Sequence, residues 1–382
     1  MLTLSKTIFV FFTWDISLAL WKEKGLLERE VKYYQAIAEK GYKIIFLTWG
    51  GRQDESIADG LHENIKVLPV YNHLPKPEKK ILRFLLSPFS LWVARHSLSS
   101  SDLLKTNQMW GAWCAVLAKF FFRKPLLVRT GFELYKFTIA QEHHFLRRFF
   151  IFLISKITYA SADIIYVATE GDKHFVQKRF KIASTRIEVR PNWIDTSKFS
   201  PPSTARKDRE ILFVGRLTEQ KNLPLIIKAI EGSQWALNIV GSGELEEEIK
   251  SLVKRKNVCV NFLETVANDE LPSFYGQCTV FVLPSFYEGN PKTLLEAMAC
   301  GCAVIGTNVE GINNVIQDGM NGLLCDLTSE SLHDSIDTLM GNSELRKTLG
   351  EAARRQIQST QTLDIMTKKE MQDYETKTLP SK

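Results

Sequence analysis

Residues 280–301 run Val280-Phe281-Val282-Leu283-Pro284-Ser285-Phe286-Tyr287-Glu288-Gly289-Asn290-Pro291-Lys292-Thr293-Leu294-Leu295-Glu296-Ala297-Met298-Ala299-Cys300-Gly301. The four apolar residues at the head have the length and composition of a buried strand, and the breaker-rich passage after them reads as a tight turn. Asn290 is a favoured N-cap, Pro291 is preset for the first helical position, and Gly301 is a fitting stop, so the spacing predicts a helix between them. Strand, turn and helix start in this order leave free amides near Lys292 and Thr293, where a helix N-terminus attracts phosphate.

Working outward, short β-rich runs alternate with helical patterns: residues 7–13, a helical stretch 26–40 closed by Gly41, then 43–48, 162–168, 211–214, 236–240, 258–262, 280–283 and 303–306. This alternation predicts an α/β protein with parallel sheets covered by helices, and the second half holds the elements of a complete doubly wound domain. The passage Arg190-Pro191-Asn192-Trp193-Ile194-Asp195, followed by Ser200-Pro201-Pro202-Ser203, reads as a linker and puts a boundary near residue 200. The expected organisation is an N-terminal domain over 1–200, a C-terminal domain over 201–355, and a terminal helix over 356–382 that packs back on the first domain.

Two further turns follow predicted strands of the second half. Gly215-Arg216-Leu217-Thr218-Glu219-Gln220-Lys221-Asn222 comes after residues 211–214, and Gly241-Ser242-Gly243-Glu244 after residues 236–240. Ligands of open α/β sheets sit at the carboxyl ends of strands, where Arg216 as a planar fork and Lys221 as a point charge are placed to hold a diphosphate. Glu296, little more than a turn into its helix, offers two acceptors to a vicinal diol such as ribose, and Glu288 approaches from another side. Taken singly, these are ordinary surface charges and strand-to-helix turns. The third glycine of a dinucleotide fingerprint is missing, which disfavours an NAD-dependent dehydrogenase, and a phosphate-binding P-loop is absent.

Taken together, a G-R-x4-K-N segment, a G-x-G-x turn and an E-x7-E signature in this order resemble glycosyltransferase family 4 of the GT-B fold. The likeness covers about residues 187–327, from Pro191-Asn192-Trp193-Ile194-Asp195 through Gly311 and Gly322. It implies two Rossmann-like doubly wound domains facing each other across a cleft, and retaining transfer of a hexosyl-type sugar from a UDP-, GDP- or ADP-sugar to a hydroxyl. Arg216 and Lys221 would bind the diphosphate, Glu296 the ribose and Glu288 a sugar hydroxyl. Gly215, Gly241, Gly243, Gly289, Asn290 and Pro291 would complete the donor site, with the base beside Phe262-Leu263. Arg216, Lys221 and Glu288 would carry the chemistry. No Asp-rich metal pair is visible, and neither metal nor further cofactor is expected.

The N-terminal half fits less closely. Where many relatives have a glycine-rich turn after the first strand, this chain has Thr13-Trp14-Asp15-Ile16-Ser17, and where many place a histidine it has Arg129-Thr130-Gly131-Phe132-Glu133. Arg129 and Glu133 are the acceptor-side candidates, while His143 and His144 read as exposed on a basic helix. The altered turn keeps a non-catalytic sugar-nucleotide-binding subunit open as an alternative, and an epimerase or phosphorylase on the same fold is another.

The chain has 382 residues, 45% hydrophobic and 24% charged, enough for two α/β domains with their own cores. Its six cysteines form no C-x-x-C pair and no zinc spacing, which suits a reducing, cytoplasmic setting. The net charge of +6 divides unevenly, roughly +12 over residues 1–200 against roughly −6 over the remainder. Neither the run at 7–12 nor the one at 149–154 approaches the ~20 apolar residues of a membrane span. Three basic-aromatic clusters lie in the basic half: Lys79, Lys80 and Arg83 around the stripe Ile81, Leu85, Phe89 and Trp92, which Pro88 interrupts; Phe120-Phe121-Phe122 with Arg123-Lys124; and Arg147-Arg148 with Phe149-Phe150. Each is equally an ordinary core with a solvated rim. Together they favour docking on anionic lipid at the inner membrane face, which suits a lipid-linked or cell-surface glycan acceptor, and no nucleic-acid-reading motif accompanies the charge.

Overall fold

The computed structural model describes residues 6–140, 144–202, 206–264 and 266–376; His143 and Ser203 lie outside them. The chain forms two compact units, one ending at Arg190 and taken up again from Met366, the other spanning Pro191–Ile365. The passage expected to mark a boundary near residue 200 therefore belongs to the second unit. Asn192 N–H donates to Asn290 Oδ1 at 2.7 Å and Ile194 N–H to Gln361 O at 2.8 Å, whereas Arg190 is ion-paired with Asp373 in the first unit.

The first unit is built on β1 (Thr7–Phe11), β2 (Lys43–Thr48), β3 (Ile65–Pro69), β4 (Leu103–Thr106), β5 (Leu126–Thr130), β6 (Ile164–Val167) and β7 (Ile187–Val189). They form one parallel sheet in the order β3-β2-β1-β4-β5-β6-β7. Side chains on both faces are buried, as in Ile8-Phe9-Val10 and Leu126-Leu127-Val128, because helices cover both sides and the usual alternation is lost. A charge is buried among them: Lys105 on β4 is only 1% exposed and ion-paired with Glu370 of the helix Leu363–Thr376. Glu370 also accepts the hydroxyls of Tyr33 (2.7 Å) and Tyr374, so removing either ion would strand a buried charge.

The second unit contains β8 (Glu210–Val214), β9 (Ala236–Val240), β10 (Cys259–Leu263), β11 (Val280–Leu283), β12 (Ala303–Thr307) and β13 (Leu323–Cys325). Their parallel order is β10-β9-β8-β11-β12-β13. Strand order reverses between β8 and β11, the switch point at whose carboxyl ends an open α/β sheet leaves its ligand crevice.

Residues 80–93 follow the predicted interruption: a helix over Lys80–Leu86, a 3-10 turn over Ser87–Phe89 containing Pro88, and a short helix over Ser90–Val93. Ile81, Leu85, Phe89 and Trp92 are all exposed.

Candidate functional site

Gly215 follows β8, and its N–H donates to Val240 O at 3.0 Å. Beyond it, Leu217 N–H donates to Ser242 O at 3.0 Å and Leu245 N–H to Leu217 O at 3.1 Å, which locks the turn after β8 against the turn after β9. Gly241 has φ 135°, and a Cβ there would lie 2.1 Å from Gly215 O; one on Gly243 would lie 2.3 Å from Leu217 O. The G-x-G pair is thus demanded by backbone approach between two loops.

The same turn reaches across the switch point. Lys221 is ion-paired with Glu288 Oε1, their side chains only 13% and 8% exposed, and Ser285 Oγ donates to that oxygen at 2.7 Å. Gln220 Nε2 donates to Tyr287 O at 2.9 Å, and Phe286 N–H to Gln220 O at 2.9 Å. Two segments 67 residues apart, expected separately to face a ligand, are therefore one hydrogen-bonded construction. Arg216, in the same turn as Lys221, is exposed.

The helix after the second turn spans Lys292–Ala299 and is entered from Pro291, which stands at the N-cap position with no side-chain cap bond. The expectation of Asn290 as N-cap and Pro291 as first helical residue is corrected by one position. Asn290 turns toward the passage at 191–195 of its own unit: its Oδ1 accepts Asn192 N–H, and its carbonyl accepts Asn192 Nδ2 at 2.7 Å. The loop carrying Glu288 and Gly289 is pressed from above by Gly311, φ 89°, where a Cβ would meet Glu288 O at 2.2 Å and Gly289 O at 2.5 Å. Gly301 closes the helix at φ 66°.

Glu296 is buried, 2% exposed, and its Oε2 accepts the Tyr275 hydroxyl at 2.9 Å. Burial, then the charge of Glu296, hold the Tyr275 hydroxyl far above its ordinary range, so it stays a donor. Tyr275 and Ser285 are the partners that sequence reasoning missed. Ser285 stands three residues before Glu288 and was findable as a loop hydroxyl, whereas Tyr275, 21 residues from its partner, carried no local signal. Phe262 and Leu263 are partly buried at the end of β10 and pack on the unit's core.

In the first unit, Arg129 is half-buried on β5, its backbone N–H donating to Thr106 Oγ1 at 3.0 Å. Glu133 is fully buried, accepting the Tyr159 hydroxyl at 2.9 Å and the Lys136 N–H at 2.5 Å, so it braces the start of the helix Leu134–Ala140. Burial outweighs those bonds and holds its carboxyl up at about 7. His144 is exposed at the N-cap of the helix Phe145–Ser161. No group of three or more His, Cys, Asp or Glu side chains that could hold a metal ion occurs among the described residues.

Two parallel doubly wound sheets in one chain are the architecture of the GT-B glycosyltransferase class. Family descriptions agree: "Glycosyltransferase Family 4" matches residues 32–198 and "Glycosyl transferases group 1" matches residues 195–356. The chain belongs to glycosyltransferase family 4. An uncharacterised glycosyltransferase of Methanocaldococcus jannaschii is 37% identical over 37% of this chain and 40% of that protein. The N-acetylgalactosamine-N,N'-diacetylbacillosaminyl-diphospho-undecaprenol 4-alpha-N-acetylgalactosaminyltransferase of Campylobacter jejuni is 30% identical over 53% of this chain and 57% of that protein. The chain spans about half the length of these curated relatives. Among solved structures, Anabaena HepE in complex with UDP aligns over 97% of this chain and 99% of that one with TM-score 0.75 at 15% identity. Sucrose-phosphate synthase from Thermosynechococcus elongatus aligns over 97% and 98% with TM-score 0.79 at 19% identity.

Proposed function

We propose that this chain transfers a sugar, with retention of configuration, from a nucleotide diphosphate sugar to a hydroxyl of a lipid-linked or cell-surface glycan precursor. The observation that carries the reading is the Lys221–Glu288–Ser285 construction at the β8/β11 switch point, with Arg216 in the same turn as Lys221. Breaking the sugar–phosphate bond develops negative charge on the diphosphate, which Arg216, Lys221 and the amides opening the helix Lys292–Ala299 stabilise. Glu288, oriented by Ser285, takes a hydroxyl of the transferred sugar, and the leaving phosphate accepts the proton of the incoming hydroxyl. Glu296 receives ribose hydroxyls while still holding Tyr275, since an ionised carboxylate has about four lone-pair sites. Gly241 and Gly243 let the turn after β9 close on the turn after β8, and the donor meets the backbone at Gly215 and Gly289. No metal enters this scheme.

The UDP complexes of HepE favour a uridine donor, and the diphospho-undecaprenol named for the Campylobacter relative favours a lipid-linked acceptor. No helix among the described residues is long and apolar enough to cross a membrane. Attachment is instead peripheral, at the inner face. All but three of the exposed large hydrophobic side chains among the described residues lie between Ile81 and Ile157. Phe84 and Phe150, with ring centroids 6.1 Å apart, join the helix Lys80–Leu86 to the helix Phe145–Ser161, and the helix Ala112–Phe122 packs on the latter. Lys79, Lys80 and Arg123 are exposed around this face, as an anionic bilayer requires. Arg83, expected to join them, is held by Asp15 at 2.7 Å.

A hydrolysis screen over UDP-, GDP- and ADP-sugars tests the proposal. One donor should slowly release free sugar of unchanged anomeric configuration, unaffected by EDTA. An epimerised nucleotide sugar, or a sugar phosphate, would replace transfer with one of the rival reactions.

A further inference from the structure

A cysteine cluster lies beneath the candidate donor site, where β11 and β12 begin. Cys278 Sγ and Cys302 Sγ are 3.9 Å apart, and both are buried. Arg206 Nη1 approaches Cys302 Sγ at 3.4 Å, while its guanidinium also donates to the carbonyls of Cys278 (3.1 Å) and Cys300 (2.7 Å). Both sulfurs face the carbonyl oxygen of Tyr275, Cys302 at 2.9 Å and Cys278 at 3.5 Å. Tyr275 is the residue whose hydroxyl holds Glu296.

Of the two thiols, Cys302 is the readier to ionise. The hydrogen bond to Cys302, then burial, raise the Cys278 thiol well above its ordinary range. Burial also opposes ionisation of Cys302, but the bond from Cys278 and the charge of Arg206 outweigh it and leave that thiol lowered. Buried thiols are normally inert for want of access. Here a cavity of about 510 Å³ is lined by Cys278, Phe274 and Gln277, which brings a water-sized oxidant up to the pair on its Cys278 side.

We propose that Cys278 and Cys302 form a reversible disulfide under peroxide, and that this bond weakens nucleotide binding at Glu296 by displacing Tyr275; the second half rests on Glu296 being a nucleotide-binding acid. The Cys302 thiolate attacks one peroxide oxygen, the O–O bond breaks, and the departing hydroxide takes up a proton as water, leaving a sulfenic acid on Cys302. Cys278 then attacks that sulfur, losing its proton to the hydroxyl that leaves as the second water. Two thiols are oxidised to one disulfide and one peroxide is reduced to two waters. The sulfurs must close from 3.9 Å to about 2.05 Å, the length of a disulfide. That movement removes both sulfurs from the Tyr275 carbonyl and shifts the residue that orients Glu296.

The full chain, reduced and then exposed to hydrogen peroxide, tests this by non-reducing peptide mapping, with the exposed Cys259 as an internal control. A Cys278–Cys302 cross-link two hydrogens lighter than the free pair, reversed by dithiothreitol, is expected before Cys259 is fully oxidised. Complete oxidation of Cys259 with no such cross-link overturns the disulfide. Calorimetry with UDP, GDP and ADP on the same samples should show at least tenfold weaker binding after oxidation. Cys278→Ala and Cys302→Ala should each show the same nucleotide affinity before and after peroxide. A cross-linked protein of unchanged affinity overturns the coupling to Tyr275. A reduced protein that binds none of the three nucleotides refutes the donor-site reading instead, and the mapping then still decides whether the disulfide forms.

Discussion

Tyr275 donates its hydroxyl to Glu296 Oε2 at 2.9 Å, and both side chains are buried. The carboxylate proposed to read the nucleotide is thus oriented from within its own domain before any ligand arrives. Glu296→Ala should weaken binding of the cognate nucleoside diphosphate by about 1.5–3 kcal/mol, roughly 10- to 150-fold, by removing charge-assisted acceptors. Tyr275→Phe leaves Glu296 short of a buried donor and should lower stability by about 1–3 kcal/mol. Calorimetry and denaturant melts measure the two separately. Unchanged affinity in a folded Glu296→Ala protein would remove the ribose assignment.

Arg216 and Lys221 share a proposed task but not an environment. Arg216 is exposed, so Arg216→Ala should leave the melting curve where it is while cutting turnover by about 10²–10³, the scale of losing one preorganised charge on a leaving group. Lys221→Ala also strands Glu288, whose side chain is 8% exposed, and should lower both turnover and stability. Binding of a nucleoside monophosphate should fall far less in either variant. Equal losses in turnover and monophosphate affinity would contradict action on the developing diphosphate charge.

Glu133 imposes a pH dependence on the first unit. Its carboxyl titrates near 7 when folded, against an ordinary value of 4.5, because burial disfavours the charge. A folded value above the unfolded one means that this contribution is fully present below pH 4.5 and is lost as pH rises through about 7. The loss amounts to about 3 kcal/mol. Thermal melts between pH 5 and 8 should therefore fall more steeply for the wild type than for Glu133→Gln. Parallel curves would show that the carboxyl carries no such penalty.

Vesicle flotation addresses the exposed face between Ile81 and Ile157. Binding should require anionic lipid and weaken with salt. Lys79→Glu and Lys80→Glu should each cost more than about 1 kcal/mol, since reversal loses an attraction and adds a repulsion. Phe120→Ser with Phe121→Ser should weaken binding at any salt, because it removes insertion rather than charge. A protein that ignores anionic vesicles at low salt would make a soluble acceptor the better reading.

The alternation of apolar runs and helical segments sufficed for two doubly wound domains because parallel strands covered on both faces are written locally, as near-continuous apolar runs such as Leu126-Leu127-Val128. Glycine positions were equally legible: Gly241 and Gly243 stand where two loops leave no room for a side chain, a demand that shows in composition. The residue types at the candidate site, Arg216, Lys221, Glu288 and Glu296, followed from their place after strands 8 and 11 in chain order. Which of them touch did not. That Lys221 meets Glu288, that Tyr275 holds Glu296, and that Asn290 faces Asn192 rather than capping its helix depend on strand order and loop approach between segments remote in sequence. Glu133 shows the same limit, since a carboxyl after a strand reads as a site residue until the fold buries it against Tyr159. Local pattern determined where chemistry-bearing side chains emerge from the sheet. Only the tertiary structure decided which were paired, because pairing is a property of distance across the fold and a single sequence records only distance along the chain.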